Sequence, residues 1–285
     1  MRAMVAISGA VAGGRSECRM DSARAKRISE ELRGQFIGDW AVRSYIAHGK
    51  SAVVLKAEKS GQVAAIKVFD PELIETFGPE VQANRIQREL SLRGRLHDNL
   101  VQILDGGECS QKNLFFVVME FLDWPTLATV LSDVPRERIW PLIAQVAGAA
   151  RFLETLGLVH RDIKPDNIAI SRDFRTAKLM DLGVLRPFGD SHWTDHDQRT
   201  FIGTLQYASP EVLFREEKDT AEGWRAVTFY QLGAVLHDMI MRKRILERFS
   251  GPFALLVEAV RKEIPRVAAD DVPPDLVLLN NSPRL

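Results

Sequence analysis

The sequence predicts an α+β fold made of two unlike lobes. Short apolar runs punctuated by glycine fill the stretch from about 39 to 121, the pattern of an antiparallel β meander. Past Asp123 the character changes to long amphipathic helices. Within the second half lies a charged octet, HRDIKPDN at 160–167, placed just after its first long helix. These observations divide the chain into a leader and charged helical extension (1–35), a small antiparallel β-rich N-terminal lobe (36–122) and a larger α-helical C-terminal lobe (123–285).

Each element has its own signal. Ser22 to Arg33 is charged and helix-prone, and predicts an exposed helix leading into the domain. DWAVRSYIAHG (39–49), SAVVLKAEKSG (51–61) and QVAAIKVFD (62–70) predict three strands in a meander. From Glu80 to Leu96 the residues Val81, Ile86, Leu90 and Leu92 fall on one broad helical face. Strands follow at 100–105 and 114–121. The helix over 138–157 has Gly157 placed to end it, since glycine adopts the left-handed conformation of a helix stop. Further helices are predicted over about 226–241 and 252–263, with no internal repeat.

Composition narrows the function classes. The 285 residues carry 38 basic and 38 acidic side chains, so the net charge is zero and no electrostatic footprint for nucleic acid or an anionic membrane is present. Hydrophobic residues make up 46%, which with the chain length allows a sizeable core. Cys18 and Cys109 lie far apart without metal-ligand spacing, which points to a reducing, cytoplasmic setting. The most apolar helices are interrupted by Gln231, His237 and Asp238, or by Gln145 and Glu154, and no run reaches the ~18 apolar residues of a membrane span. The first nineteen residues lack the charged start of a signal peptide and predict a mobile leader, with Met20 as an alternative start.

The octet carries the chemistry. AKLMDLG (177–183) is an apolar strand ending in Asp181 and a glycine, fourteen residues after Asn167, a spacing that a hairpin closes. An aspartate and an asparagine at the mouth of that hairpin supply hard oxygens of the kind Mg²⁺ takes together with phosphates and waters. Asp162 would then stand beside a metal–phosphate site as a base for a hydroxyl proton.

Here the residues resemble the eukaryotic-like serine/threonine protein kinases, closest in style to bacterial members. HRDIKPDN resembles the catalytic loop, DLG the metal-binding motif, and GTLQYASPE (203–211) the end of the activation loop, in the family's order and across about 36–285. The resemblance implies a two-lobed protein kinase-like fold using ATP and Mg²⁺ on protein substrates. It implies Asp162 as catalytic base, Lys164 steadying the transferred group, Lys67 on the α/β-phosphates with Glu89 as its ion-pair partner, and Asn167 with Asp181 as metal ligands. Gly49, Val54, Ala65, Lys67, Met119, Glu120 and Leu122 form the implied nucleotide set, with MEFL (119–122) as the hinge. Lys164 and Thr204 match serine/threonine-directed members. Arg161 implies regulation by an activation-loop phosphate, with Thr200 the best placed acceptor beside Ser191 and Thr194.

Four departures qualify the resemblance. The glycine loop reads AHGKSAVV (47–54), retaining Gly49 but placing Ala47 and Ala52 at the outer positions, which predicts weaker phosphate contact. Arg93 stands where the family packs an apolar residue against the leucine of the metal motif, here Leu182. Thr228 occupies the place of an aspartate that braces the catalytic loop. The sequence closes on SPRL where the family continues with an arginine for Glu211, which predicts a fragment or a reduced lobe completed by a further domain or partner. The alternatives to an active kinase are a pseudokinase acting as a nucleotide-binding or allosteric module, and a small-molecule phosphotransferase. The latter lacks a segment such as GTLQYASPE.

Overall fold

The computed structural model describes residues 20–49, 52–70, 79–112, 114–188, 204–249, 253–263 and 265–269, with Gly251, Asp271 and Pro274. The leader, the three loop hydroxyls Ser191, Thr194 and Thr200, and the chain end lie outside the described residues.

Helix α1 (Ser22–Leu32) starts at Asp21, whose side chain accepts the Arg24 N–H at 2.7 Å and so satisfies a donor that the first turn leaves open. The helix is exposed along most of its surface, as its charge predicts, but buries one stripe. Ala25, Ser29 and Leu32 recur at i, i+4 and i+7 and are buried, a stripe too weakly apolar to stand out among charged neighbours.

The strands β1 (Phe36–Ile37), β2 (Trp40–His48), β3 (Ala52–Lys59), β4 (Gln62–Phe69), β5 (Ile103–Cys109) and β6 (Leu114–Glu120) form one antiparallel sheet in the order β1-β2-β3-β4-β6-β5. Side chains alternate across it. Along β4, Ile66 and Val68 share a buried cluster with Ala25 and Leu32 of α1, while Phe69 joins the cluster containing Ile86 of helix α2 (Pro79–Leu90). One face of the sheet is thus covered by α1 and the other turns toward α2 and the C-terminal lobe.

Two boundaries in the N-terminal lobe differ from the sequence reading by several residues. Helix α2 stops at Leu90 rather than Leu96, because the chain tightens through the Leu92 N–H to the Glu89 carbonyl and turns at Gly94, where φ is +76°. Leu92 is buried from that turn, not from the helix. Strand β5 begins at Ile103, since Leu100 and Val101 pair instead with Leu179 of the other lobe.

The C-terminal lobe is built on helix α4 (Ile139–Thr155), preceded by the short α3 (Leu127–Val130). Its buried face, Ile139, Leu142, Ile143, Val146, Ala149, Ala150 and Leu153, shares one core with Val235, Leu236, Met239 and Ile240 of α6 (Ala221–Met241). Each fully buried aliphatic side chain of that kind contributes about 1.5–3 kcal/mol. Helix α6 begins five residues earlier than predicted, where Thr220 caps the Gly223 N–H. Strand β7 (Leu158–Val159) pairs with β10 (Arg186–Pro187), and β8 (Ile168–Ile170) forms the predicted hairpin with β9 (Ala177–Leu179). Helices α5 (Pro210–Phe214) and α7 (Phe253–Lys262) complete the described C-terminal elements.

Candidate active site

Strand β4 and helix α2 bring Lys67 and Glu89 together, and the turn after β9 adds Asp181. The Lys67 ammonium lies 3.2 Å from Glu89 Oε1 and 3.2 Å from Asp181 Oδ1. Glu89 is 1% exposed and Asp181 53% exposed, so the lysine joins a buried carboxylate to one facing the cleft. Burial alone would depress the Lys67 ammonium, but the two carboxylates outweigh it and hold its pKa above the usual lysine value. Lys67 pulls Asp181 down, while burial pushes the Glu89 carboxyl up against the pull of the same lysine. Asp181 sits at φ 54°, in the left-handed region, which swings its side chain out of line with the strand before it. Gly183 makes room for the cluster: a Cβ there would stand 2.6 Å from Lys67 Nζ.

The octet places the second group. Asn167 donates through its side-chain NH₂ to the Asp162 carbonyl at 2.8 Å and to Asp162 Oδ2 at 3.0 Å. Lys164 Nζ lies 2.9 Å from the same carboxylate oxygen and donates to Thr204 Oγ1 at 2.5 Å. Asp162 Oδ1 is buried and has no hydrogen-bond partner among the described residues. A buried acceptor left open is costly unless something docks on it. The Asn167 carbonyl accepts the Met180 N–H at 2.8 Å, which ties the octet to the turn that carries Asp181.

His160 is buried, with both ring nitrogens engaged. Nε2 faces the Met180 carbonyl at 2.9 Å and therefore carries the proton, while Nδ1 accepts the Asp162 N–H at 3.3 Å. Burial holds its pKa below the ordinary 6.5, partly offset by the Met180 carbonyl and the nearby aspartates.

The predicted brace at Thr228 is not where the loop is held. Thr228 Oγ1 turns back to the Trp224 carbonyl of its own helix at 2.9 Å. Gln231, one turn on, does the bracing: its Nε2 donates to the Arg161 carbonyl at 2.7 Å and its Oε1 accepts the Ile163 N–H at 3.2 Å. A neutral amide fits because it offers a donor and an acceptor to two backbone groups of opposite kind. In the sequence Gln231 shows only as a polar interruption of an apolar run. Arg93 also departs from its assigned place, being 62% exposed and 3.4 Å from Asp105, while Leu182 is buried in the main core.

Of the expected nucleotide residues, Val54, Ala65, Lys67 and Met119 share one face of the sheet, while Gly49 and Leu122 lie outside the strands. Val54 is in register with Lys67, and Ala65, two residues before Lys67, with Met119. The Gly49 N–H donates to the Ala52 carbonyl at 2.9 Å. Glu120 has a role the sequence did not signal: Lys178 of β9 reaches both its carboxylate oxygens, at 2.6 and 2.8 Å, so the hinge strand is bound to the C-terminal lobe. The Glu120 N–H is committed to the Gln102 carbonyl, and Leu122 follows the strand, partly buried. Arg161 donates through Nε to the Val184 carbonyl at 2.8 Å.

The side chains suit a Mg²⁺ ion. Asn167 spends its NH₂ on Asp162 and keeps its amide oxygen for a cation, and Lys67 keeps Asp181 ionised. Mg²⁺ needs few protein oxygens when phosphates and waters supply the rest. Among the described residues no group of three or more His, Cys, Asp or Glu side chains forms a metal cage.

A β-rich lobe over a helical lobe, with a lysine–carboxylate pair facing an Asp–Lys–Asn loop, defines the protein kinase scaffold. The chain belongs to that family, its residues 40–268 matching the protein kinase domain. It is similar to a Streptomyces coelicolor protein named as a probable serine/threonine-protein kinase, at 30% identity over 84% of this chain and 36% of the relative. It is also similar to serine/threonine-protein kinase PknB of Mycolicibacterium smegmatis, at 34% identity over 55% of this chain and 25% of the relative. With extracellular signal-regulated kinase 7 of Drosophila melanogaster it shares 28% identity over 88% of this chain and 27% of the relative. The chain thus spans about a third or less of the length of these relatives. These matches support a Hanks-type serine/threonine kinase. Among the described residues no helix is long and apolar enough to cross a membrane, and Cys109 is a free thiol.

Proposed function

We propose that the protein is an active, ATP- and Mg²⁺-dependent serine/threonine protein kinase that passes the γ-phosphoryl group to protein hydroxyls. The observation that carries this reading is the open, buried Oδ1 of Asp162 beside a formed Lys67–Glu89 pair. Lys67, held in place by Glu89, aligns the α/β-phosphates, and Val54, Ala65, Met119, the Glu120 carbonyl and Leu122 enclose the base and ribose side, with Gly49 over the phosphates. The substrate hydroxyl docks on Asp162 Oδ1, which takes its proton as the new oxygen–phosphorus bond forms and the bond from the γ-phosphorus to the β,γ-bridging oxygen breaks, with ADP as the leaving group. Lys164 neutralises charge on the moving phosphoryl group, and its bond to Thr204 fixes it for a serine or threonine. Asn167 and Asp181 would hold Mg²⁺, which when bound would spread the phosphate charge; the chain's own part in transfer is positioning and electrostatics.

Arg161 is assigned to an activation-loop phosphate with Thr200 as its acceptor. The protein acts in the cytoplasm, and its 1–35, 36–122 and 123–285 segments serve as extension, nucleotide lobe and substrate lobe. The AHGKSAVV loop favours a second reading, a pseudokinase that binds nucleotide without transfer. Labelled ATP, Mg²⁺ and a generic basic protein separate the two. Label on protein hydroxyls that disappears in Asp162→Asn, by about 10²-fold or more, with nucleotide binding retained, supports the kinase. Binding without transfer in the parent protein selects the pseudokinase.

A further inference from the structure

The family match begins at residue 40, yet α1 at 22–32 is part of the folded body. Its Ala25 and Leu32, with Met20 before it, share a cluster with Val53, Leu55, Ile66 and Val68. These are side chains on the outer face of the strands whose inner face carries Val54 and Lys67.

The strongest link is polar. Asp70, the residue after β4, has a fully buried carboxylate, and Arg24 of α1 grips it with two nitrogens, Nε on Oδ2 and an Nη on Oδ1 at 2.7 Å. Arg24 is itself only 21% exposed. A forked guanidinium on a carboxylate fixes direction as well as distance, and a buried carboxylate without its partner is strongly unfavourable. Asp70 lies three residues after Lys67 and begins the connection to α2, which carries Glu89. A lighter contact reaches the glycine loop: Ser22 Oγ is 3.5 Å from His48 Nε2, and Tyr45 OH is 2.6 Å from His48 Nδ1. Helix α1 therefore touches the end of β2, which leads into the glycine loop, and the residue that follows β4, the strand carrying Lys67.

We propose that α1 is a built-in brace of the nucleotide roof, in which Arg24 and Asp70 are positioning residues that hold β4 from outside so that Lys67 stays against Glu89 on the inside. The brace offsets a loop in which Ala47 and Ala52 replace glycines, by fixing the strands when the loop's own backbone contacts are fewer. This rests on the reading of Lys67 as the phosphate-aligning lysine, but its physical core, coupling of α1 to β4 and α2, does not.

The test uses the full chain and the variants Arg24→Met and Arg24→Lys, the second keeping the charge while losing the fork, with exposed Lys26→Met as control. Amide hydrogen exchange without nucleotide reads the coupling, and KM for ATP against kcat reads its consequence. In both Arg24 variants, exchange at 64–69 and 85–90 is expected to quicken and KM for ATP to rise about three- to thirty-fold, with kcat less affected. Lys26→Met is expected to match the parent. Quickened exchange in the Arg24 variants, with a parent chain that transfers no phosphate, sinks the kinase reading and leaves the brace standing. Unchanged exchange and KM in a folded Arg24→Lys protein overturn the brace, and so does quickening confined to α1. If Arg24→Met does not fold, Arg24→Lys decides alone.

Discussion

Gln231 grips the backbone on both sides of Asp162, accepting the Ile163 N–H at 3.2 Å and donating to the Arg161 carbonyl at 2.7 Å. The peptide groups flanking the proposed base are thus fixed to the longest helix of the C-terminal lobe, and Arg161 can keep its φ of 67°. Replacing Gln231 by leucine removes both bonds and leaves the buried Ile163 N–H without its acceptor, at a cost of about 1–3 kcal/mol. Denaturant unfolding is expected to show that loss, and kcat to fall with it. Thr228→Ala, which removes a hydrogen bond made within its own helix, is expected to change stability by less than about 0.5 kcal/mol. Equal effects of the two substitutions would refute the assignment of the brace.

The contrast between those two residues shows what the sequence could convey. Motifs that bear charge and sit close together, HRDIKPDN and DLG, are legible because spacing along the chain nearly equals spacing in space. The β8–β9 hairpin brings Asn167 and Asp181 into one region for the same reason. Gln231 is 68 residues from its partner Ile163, and Lys178 58 from Glu120, and nothing local marks either pair. The burial of α1 was hidden for a different reason. Its inward stripe is alanine, serine and leucine, and the arginine that anchors it looks like one more surface charge until Asp70 is seen to be buried.

Gly183 provides a test of crowding around Lys67. An alanine Cβ there would lie 2.6 Å from the ammonium and 3.3 Å from Asp181 Oδ1 and Glu89 Oε1. The lysine is pinned between two carboxylates, so yielding means giving up one of them. Overpacking of this kind costs about 1–3 kcal/mol. Gly183→Ala is expected to lower the melting temperature and raise KM for ATP, and a variant with parental values for both would show that Lys67 has room to spare.

Tyr207 belongs to the GTLQYASPE segment and donates to Asp238 Oδ2 at 2.6 Å, while the Ile245 N–H donates to Asp238 Oδ1 at 2.5 Å. Burial, with the neighbouring carboxylate, pushes the Tyr207 hydroxyl upward, so it stays a donor throughout the working range. Glu211 is exposed, so in this structure Tyr207 and Asp238 anchor the substrate-side segment to α6. Tyr207→Phe removes one bond and leaves Asp238 partly unsatisfied, a loss of about 1–3 kcal/mol. KM for a peptide substrate is expected to rise while KM for ATP stays put; the reverse split would place this anchor on the nucleotide side instead.

His160 makes stability depend on pH with a definite sign. Its folded pKa lies below the ordinary 6.5 because burial penalises the imidazolium, with Lys164 opposing and Asp162 and Asp181 favouring the charge. Above 6.5 both folded and unfolded chains hold the neutral ring, and its contribution is complete. As pH falls below that value the unfolded chain takes up the proton first, so folding stability declines toward the folded pKa. Protonation also claims Nδ1, the acceptor of the Asp162 N–H, so catalytic-loop order declines with it. His160→Gln keeps a donor and an acceptor but cannot titrate. Its unfolding free energy, followed from about pH 7 to about pH 5, is expected to fall less steeply than that of the parent, by up to about 1.4 kcal/mol for each unit of pKa difference. Parallel curves for the two proteins would mean that the ring is not held neutral by the fold.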